Sequence, residues 1–167
     1  MRILGIDPGY AIVGYGVLGY DGRNMKLEAM GAVTTAADMD FNKRLLAIYD
    51  DMRVLFQQFK PDAMSIERLY FTNNQKTGIA VAEARGVILL AAVQAGVPIF
   101  EYTPLQVKSS ITGYGKAEKQ QVQEMTRTIL HLKEVPKPDD TADAVALAMT
   151  HAYSLGTRRI LERAEKG

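Results

Sequence analysis

The reading turns on the first nine residues, Met1-Arg2-Ile3-Leu4-Gly5-Ile6-Asp7-Pro8-Gly9. A short apolar run ends in an acid, and a Pro-Gly pair stops it. A run of that length bounded by turn formers reads as a strand. From Ala11 to Leu18 the apolar residues Ile12, Val13, Tyr15 and Val17 stand among glycines. Asp21-Gly22-Arg23-Asn24 is a turn signal, after which Met25 to Thr34 returns as a third strand. The chain therefore begins as an antiparallel meander, which sets it apart from an ordinary doubly wound nucleotide-binding sheet.

Working outward, Phe41, Leu45, Ile48, Met52, Leu55 and Phe59 recur at steps of three and four, one apolar face of a helix, with Asp40 as its N-cap. Lys60-Pro61-Asp62 stops it, and Ala63 to Glu67 is a strand that again ends in an acid. Thr72 to Gln75 reads as polar loop. Thr77 to Ala95 reads as a long helix, apolar or small on most sides, which implies burial or a subunit interface. Pro98 to Tyr102 is a strand, Pro104 to Ile111 a short helix, Gly113-Tyr114-Gly115 a turn, and Ala117 to Leu130 a helix with Val122, Met125 and Ile129 inward. After Pro136 and Pro138, Asp140 to Leu155 forms the last helix. The predicted architecture is α/β: a mixed five-stranded sheet with an antiparallel N-terminal meander and helices on both faces. Residues 1–155 form one domain, and 156–167 a flexible charged tail.

Composition agrees with this frame. A chain of 167 residues, 47% hydrophobic and 23% charged, can bury one core. It has no cysteine, which excludes a disulfide framework and a cysteine-ligated zinc site. The opening does not read as a signal peptide, and the apolar stretch from Val87 to Val93 is too short to span a bilayer. A cytoplasmic protein without a membrane role is expected. Net charge is +1, so any nucleic-acid partner must be met by a local basic cluster.

Four acids stand where the chain changes element: Asp7, Glu67, Asp140 and Asp143. Asp140 and Asp143 are three apart on a helix and share a face. If the first and fourth strands are parallel neighbours, Asp7 and Glu67 reach the same sheet edge, where α/β proteins gather their sites. Each acid has a plainer reading. Asp7 can start a turn, Glu67 can be solvated, and Asp140 can cap the last helix with Asp143 in a capping box. Asp139 competes for the ligand role of Asp140. The joint placement points to a site. Two like charges about 4 Å apart repel by roughly 4 kcal/mol at an effective dielectric near 20, so such a cluster calls for a cation. Magnesium takes hard oxygen ligands, and two such ions can clamp a phosphodiester.

Gly5-Ile6-Asp7-Pro8-Gly9 with Gly14-Tyr15-Gly16, then Ser65-Ile66-Glu67-Arg68-Leu69-Tyr70-Phe71, Ala84-Arg85-Gly86, Gln106-Val107-Lys108 with Gly115 to Val122, and Asp140-Thr141-Ala142-Asp143-Ala144 resemble, in order and at family spacing, the motifs of the RuvC Holliday junction resolvases. The resemblance runs from about residue 1 to residue 153. It implies an RNase H-like fold and a homodimer that makes paired, symmetric nicks in four-way junction DNA. It also implies catalytic and metal-ligand roles for Asp7, Glu67, Asp140 and Asp143, with Mg2+, two per subunit, replaceable by Mn2+. A branch-migration helicase is the implied working partner.

Lys108, Lys116, Lys119 and Arg127 lie between the last strand and the last helix, and Lys76 and Arg85 extend a candidate DNA path. The alternative is that these are solvated helix faces. Lys108 and Lys119 match family positions. Tyr70 is the expected ring that stacks on bases at the junction, with Phe71 as its rival. His151 reads as a packing or surface residue. Two other functions remain: a junction-binding module without catalysis, and an actin-like ATPase, whose phosphate loop Gly5 to Gly9 also resembles.

Overall fold

A strand with one apolar face needs a layer on that face, and a strand apolar on both faces needs two. The strand β1 (Arg2–Asp7) is of the second kind: Ile3, Leu4 and Ile6 are all fully buried. In the computed structural model of the protein, which describes residues 1–69 and 75–164 and the side chains among them except those of 75–76 and 158–164, β1 is the central strand. Around it lie β2 (Ile12–Tyr20), β3 (Met25–Thr34), α1 (Phe41–Phe59), β4 (Ala63–Glu67), α2 (Gln75–Gln94), β5 (Ile99–Tyr102), α3 (Pro104–Thr112), α4 (Lys119–Ile129) and α5 (Asp139–Ala164).

The sheet order is β3-β2-β1-β4-β5. β1 and β3 are antiparallel to β2, forming the meander; β4 is parallel to β1, and β5 parallel to β4. Alternation along β1 sends Leu4 and Ile6 to one face, where they meet Ile48 and Met52 of α1 and Ile88 of α2. Ile3 goes to the other face, with Ile111 of α3, Val122 of α4, and Val145 and Met149 of α5. The helices therefore cover both faces, as the sequence predicts.

Local signals explain the element ends. The Asp40 carboxylate accepts from the backbone N–H of Asn42 and Lys43 and caps α1, which closes at Lys60 in a left-handed conformation. Thr103 and Gln106 form a reciprocal capping box at the start of α3.

Three expectations are corrected. The last helix starts at Asp139 and runs through Ala164, so most of the expected tail is helical. Gly156 does not stop it, because one glycine costs a helix only about 1 kcal/mol and good helix formers follow. In α4 the buried positions are Val122 and Thr126, while Met125 is 39% exposed. Val122 is inward and Ile129 packs partly buried against the core as expected, so Met125 alone departs from the predicted inward face. Helix α2 begins at Gln75, earlier than expected. Its segment Thr77–Gln94 is, by length and composition, apolar enough to cross a membrane, with mean hydropathy 1.4. It packs on the sheet through Ala84, Ile88, Ala91 and Ala92, yet leaves Ile79, Leu90 and Val93 more than half exposed.

Candidate active site

The site is built by the close approach of α5 to the meander. A Cβ on Gly5 would lie 2.0 Å from the Ala144 carbonyl oxygen and 2.7 Å from the Ala148 amide nitrogen. A Cβ on Gly14 would lie 1.9 Å from the Asp140 carbonyl oxygen, and one on Gly16 2.6 Å from Val145 Cγ2. Gly5 and Gly16 are direct partners across β1 and β2. Glycine here is a matter of clearance: any larger residue would push the helix off the sheet. The Thr141 hydroxyl donates to the Gly31 carbonyl at 3.0 Å and ties the first turn of α5 to β3.

This seats Asp140 and Asp143 beside the carboxyl end of β1. The parallel register pairs Ile6 with Ile66, so Asp7 and Glu67 follow side by side at the ends of β1 and β4. The four acids feel one another. Burial pushes the Asp7 carboxyl up to about 8, and the charges of Asp143, Glu67 and Asp140 add to that, against the opposing pull of Lys119. Burial also raises Glu67, with Asp143 adding to the effect. Asp143 is raised by burial and by Asp139 and Asp140, with Lys119 opposing. Asp140 acts on Asp7, while Asp139 and Asp140 both act on Asp143.

Lys119 is the counter-charge within reach. Its ammonium lies 2.8 Å from Asp143 Oδ2 and 3.4 Å from Asp139 Oδ2. Partial burial disfavours the ammonium, but these two carboxylates hold its pKa above the ordinary value. One ammonium against four clustered acids leaves a net negative, oxygen-rich site. Among the described residues no three carboxylates are drawn into a single tight ligand group. The donor set, all hard oxygens, fits a divalent cation of the magnesium class. Asp7, Glu67, Asp140 and Asp143 are the residues that would hold it.

Beside the acids lies a cavity of about 160 Å³ lined by Glu67, Asp143, Lys108, Lys119, Val107 and Val122, among others. Lys108 and Lys119 thus stand at the acidic site, whereas Lys116 is exposed on the turn before α4. Arg127 is engaged with Glu124, its Nε 2.8 Å from Oε1. Arg85 departs from the expected DNA path. Its side chain is 14% exposed, its Nε donates to the Glu67 carbonyl at 3.1 Å, and its guanidinium lies 3.0 Å from Glu101 Oε1. The reason is its position on the sheet-facing side of α2, next to the buried Ala84. Tyr70 and its rival Phe71 lie outside the described residues, as does the side chain of Lys76. His151 is buried and packs on the Phe100 ring at 4.2 Å, with Nδ1 2.7 Å from the Tyr102 hydroxyl, so it is a packing residue.

Sequence reasoning missed the clearance role of Gly5, Gly14 and Gly16, and the pairing of Lys119 with the acids. The glycines did carry a signal: small residues recurring inside two adjacent strands mark a close approach. The Lys119 pairing joins the consecutive helices α4 and α5 across the turn between them and had no local signal.

The protein-family description "Crossover junction endodeoxyribonuclease RuvC" matches residues 3–151. The chain is 53% identical over 154 residues to the crossover junction endodeoxyribonuclease RuvC of Ruminiclostridium cellulolyticum, covering 92% of this chain and 93% of that one. It is 54% identical over 152 residues to the enzyme of the same name from Brevibacillus brevis, covering 91% and 92%. Among solved structures, Thermus thermophilus RuvC in complex with a Holliday junction substrate matches with a TM-score of 0.89 and 36% identity over 94% of this chain and 96% of that one. Five motifs in family order, the glycine-seated acidic cluster and these matches agree, and the chain belongs to the RuvC family of crossover junction endodeoxyribonucleases.

Proposed function

We propose that the protein resolves four-way DNA junctions by hydrolysing one phosphodiester per subunit, as a homodimer that makes two symmetric nicks in the cytoplasm. The observation that carries this reading is the meeting of Asp7, Glu67, Asp140 and Asp143 from three separate elements. In hydrolysis a water oxygen bonds to phosphorus while the P–O3′ bond breaks. The products are a 5′-phosphate and a 3′-hydroxyl, the latter taking up a proton. Two magnesium ions held by the four carboxylates would supply an ionised water and charge stabilisation at the leaving oxygen.

The chain's own residues do the rest. Asp7, half-buried at the centre of the cluster, would be one of the carboxylates that hold the cation. The glycine cradle keeps Asp140 and Asp143 at a fixed distance from it. Lys108 and Lys119 line the adjoining cavity, where a phosphate would meet positive charge. Lys116, exposed on the turn, extends that basic edge. Two symmetric cuts need two sites related by a two-fold axis, and the exposed Ile79, Leu90 and Val93 on α2 give an apolar face for a second copy.

The test is incubation with a synthetic four-way junction beside a linear duplex of equal length, with and without Mg2+ or Mn2+. Paired nicks in the junction alone, dependent on the metal, are expected. Asp7→Asn should still bind the junction, while cleavage falls by more than the ~10–100-fold that losing an outer partner of a metal ligand costs. Junction binding without cleavage by the wild type would leave a binding module, and an active Asp7→Asn protein would remove the site assignment.

A further inference from the structure

The carboxyl end of β4 is short of backbone donors. Asp7 stands opposite Glu67 on β1, and the next residue, Pro8, has no N–H. On the other side Tyr102 pairs with Glu67 and its carbonyl accepts from the Arg68 N–H. The next amide on that side, Thr103, is turned into its own capping box and donates to Gln106 Oε1 at 2.8 Å, and Pro104 after it has no N–H. The Glu67 carbonyl faces β1, where the ladder runs out of amides at Pro8. A carbonyl left there without a donor would carry a desolvation cost and let the strand end shift.

Arg85 supplies that donor from outside the sheet. Its Nε–H reaches the Glu67 carbonyl at 3.1 Å, while its Nη2 lies 3.0 Å from Glu101 Oε1 on β5, an ion pair without hydrogen-bond geometry. Glu101 also faces Arg68 Nε at 3.9 Å. One planar, fork-shaped group thus ties the middle of α2 to the ends of both β4 and β5. Burial, Asp143 and Lys119 govern the ionisation of Glu67, so the contribution of Arg85 to the site is one of place.

We infer that Arg85 is a positioning residue, which fixes the Glu67 carboxylate for metal and substrate by holding the end of β4, with Glu101 as its anchor. This rests on the nuclease reading above but is read out without it. Lysine carries the charge but not the fork, so Arg85→Lys cannot serve the Glu67 carbonyl and Glu101 together.

The experiment uses the full-length protein. Mn2+ binding to the DNA-free protein is followed by titration calorimetry, and single-turnover junction cleavage is followed at saturating protein, with wild type beside Arg85→Lys and Glu101→Gln. Arg85→Lys is expected to weaken Mn2+ binding several-fold and to slow cleavage of bound junction at least tenfold, while junction affinity stays within twofold. The Mn2+ needed for half-maximal rate should rise. Glu101→Gln, altered at a part-exposed side chain that leaves the fold intact, should change the same quantities in the same direction and by less.

If Arg85→Lys does not fold, Glu101→Gln alone decides, because an unanchored guanidinium should still loosen Mn2+ binding. Wild-type Mn2+ affinity in both variants would overturn the inference whether or not the wild type cuts. A loss of junction affinity with an unchanged rate for bound junction would also overturn it, and would return Arg85 to the DNA path. A wild type that binds Mn2+ but does not cut would count against the nuclease reading alone.

Discussion

Helices α2 and α5 are both rich in alanine and aliphatic residues, yet the sheet treats them differently. From Thr141 to Ala152, α5 is buried at every position except Asp143, which is half-buried in the acidic cluster. Over its central turns α2 buries Ala84, Ile88, Ala91 and Ala92, and leaves Leu90 at 52% and Val93 at 65% exposed. The difference lies in the surface beneath each helix. α5 rests on glycines and sinks until its backbone touches the strands; the far side of that helix is then closed by α3 and α4, whose Ile111 and Val122 meet Val145 and Met149. α2 shares its face of the sheet with α1 and has no helix beyond it among the described elements. A helix with similar apolar content thus becomes a rigid support for the acidic cluster in one place and an unfinished surface in the other.

The strongest way to break this comparison is to fill the cradle. Gly5→Val would place its first side-chain carbon 2.0 Å from the Ala144 carbonyl, backbone that has nowhere to move. Loss of about 3 kcal/mol or more is expected, the upper range for overpacking, measured by urea unfolding. Gly14→Ala is the finer version, since its Cβ would meet the Asp140 carbonyl at 1.9 Å at the very start of α5. It should cost roughly 1–3 kcal/mol and displace Asp140, so that cleavage falls further than stability explains. Wild-type stability in both variants would show that α5 is not seated by clearance.

These glycines also show how far the sequence can be read. The strands, the meander, α1 with its Asp40 cap and the four acids were legible because each rests on local periodicity or a turn signal. The acids could be joined because parallel register puts strand ends at one edge, and Asp7 and Glu67 obey that rule. What was not legible depended on contacts between separate elements. Arg85 looked like one more basic residue on a path, and only the proline that follows β1 shows why the Glu67 carbonyl needs it. Lys119 looked like a phosphate contact, and the fold pairs it with Asp143. The inward face of α4 was misjudged because Met125 is apolar but sits outside, while Thr126 is buried in its place.

The α2 side of the comparison is sharpened by Val93→Glu. An exposed position should tolerate the charge within about 0.5 kcal/mol in the monomer. If a second copy covers this face, the same charge lands in an apolar contact and should shift the dimer toward monomer, read by sedimentation equilibrium. A dimer of unchanged strength would place the interface elsewhere, and a monomeric wild type would leave α2 open.

The smallest expected effect is a pH slope confined to the α5 end. Asp7 holds its proton up to about pH 8 in the folded protein, against an ordinary 3.8. The folded state therefore binds more protons than the unfolded chain between those values, and stability falls as pH rises between them. The contribution is fully present below about pH 4 and lost through pH 8. Glu67 and Asp143 are raised as well, so they act in the same direction. Metal-free protein should accordingly melt lower at pH 8 than at pH 5.5. A divalent cation should raise the melting temperature more at pH 8, where the carboxylates must otherwise ionise against one another. Asp7→Asn removes the central group, so in metal-free buffer it should flatten the slope and melt higher than wild type at pH 8, by an amount on the order of 1 kcal/mol. The same variant would then be more stable and inactive, the signature of acids kept together for chemistry at the expense of the fold. Equal slopes in Asp7→Asn and wild type would mean that the cluster is not what the protein titrates, and that the α5 end is no more strained than the α2 face.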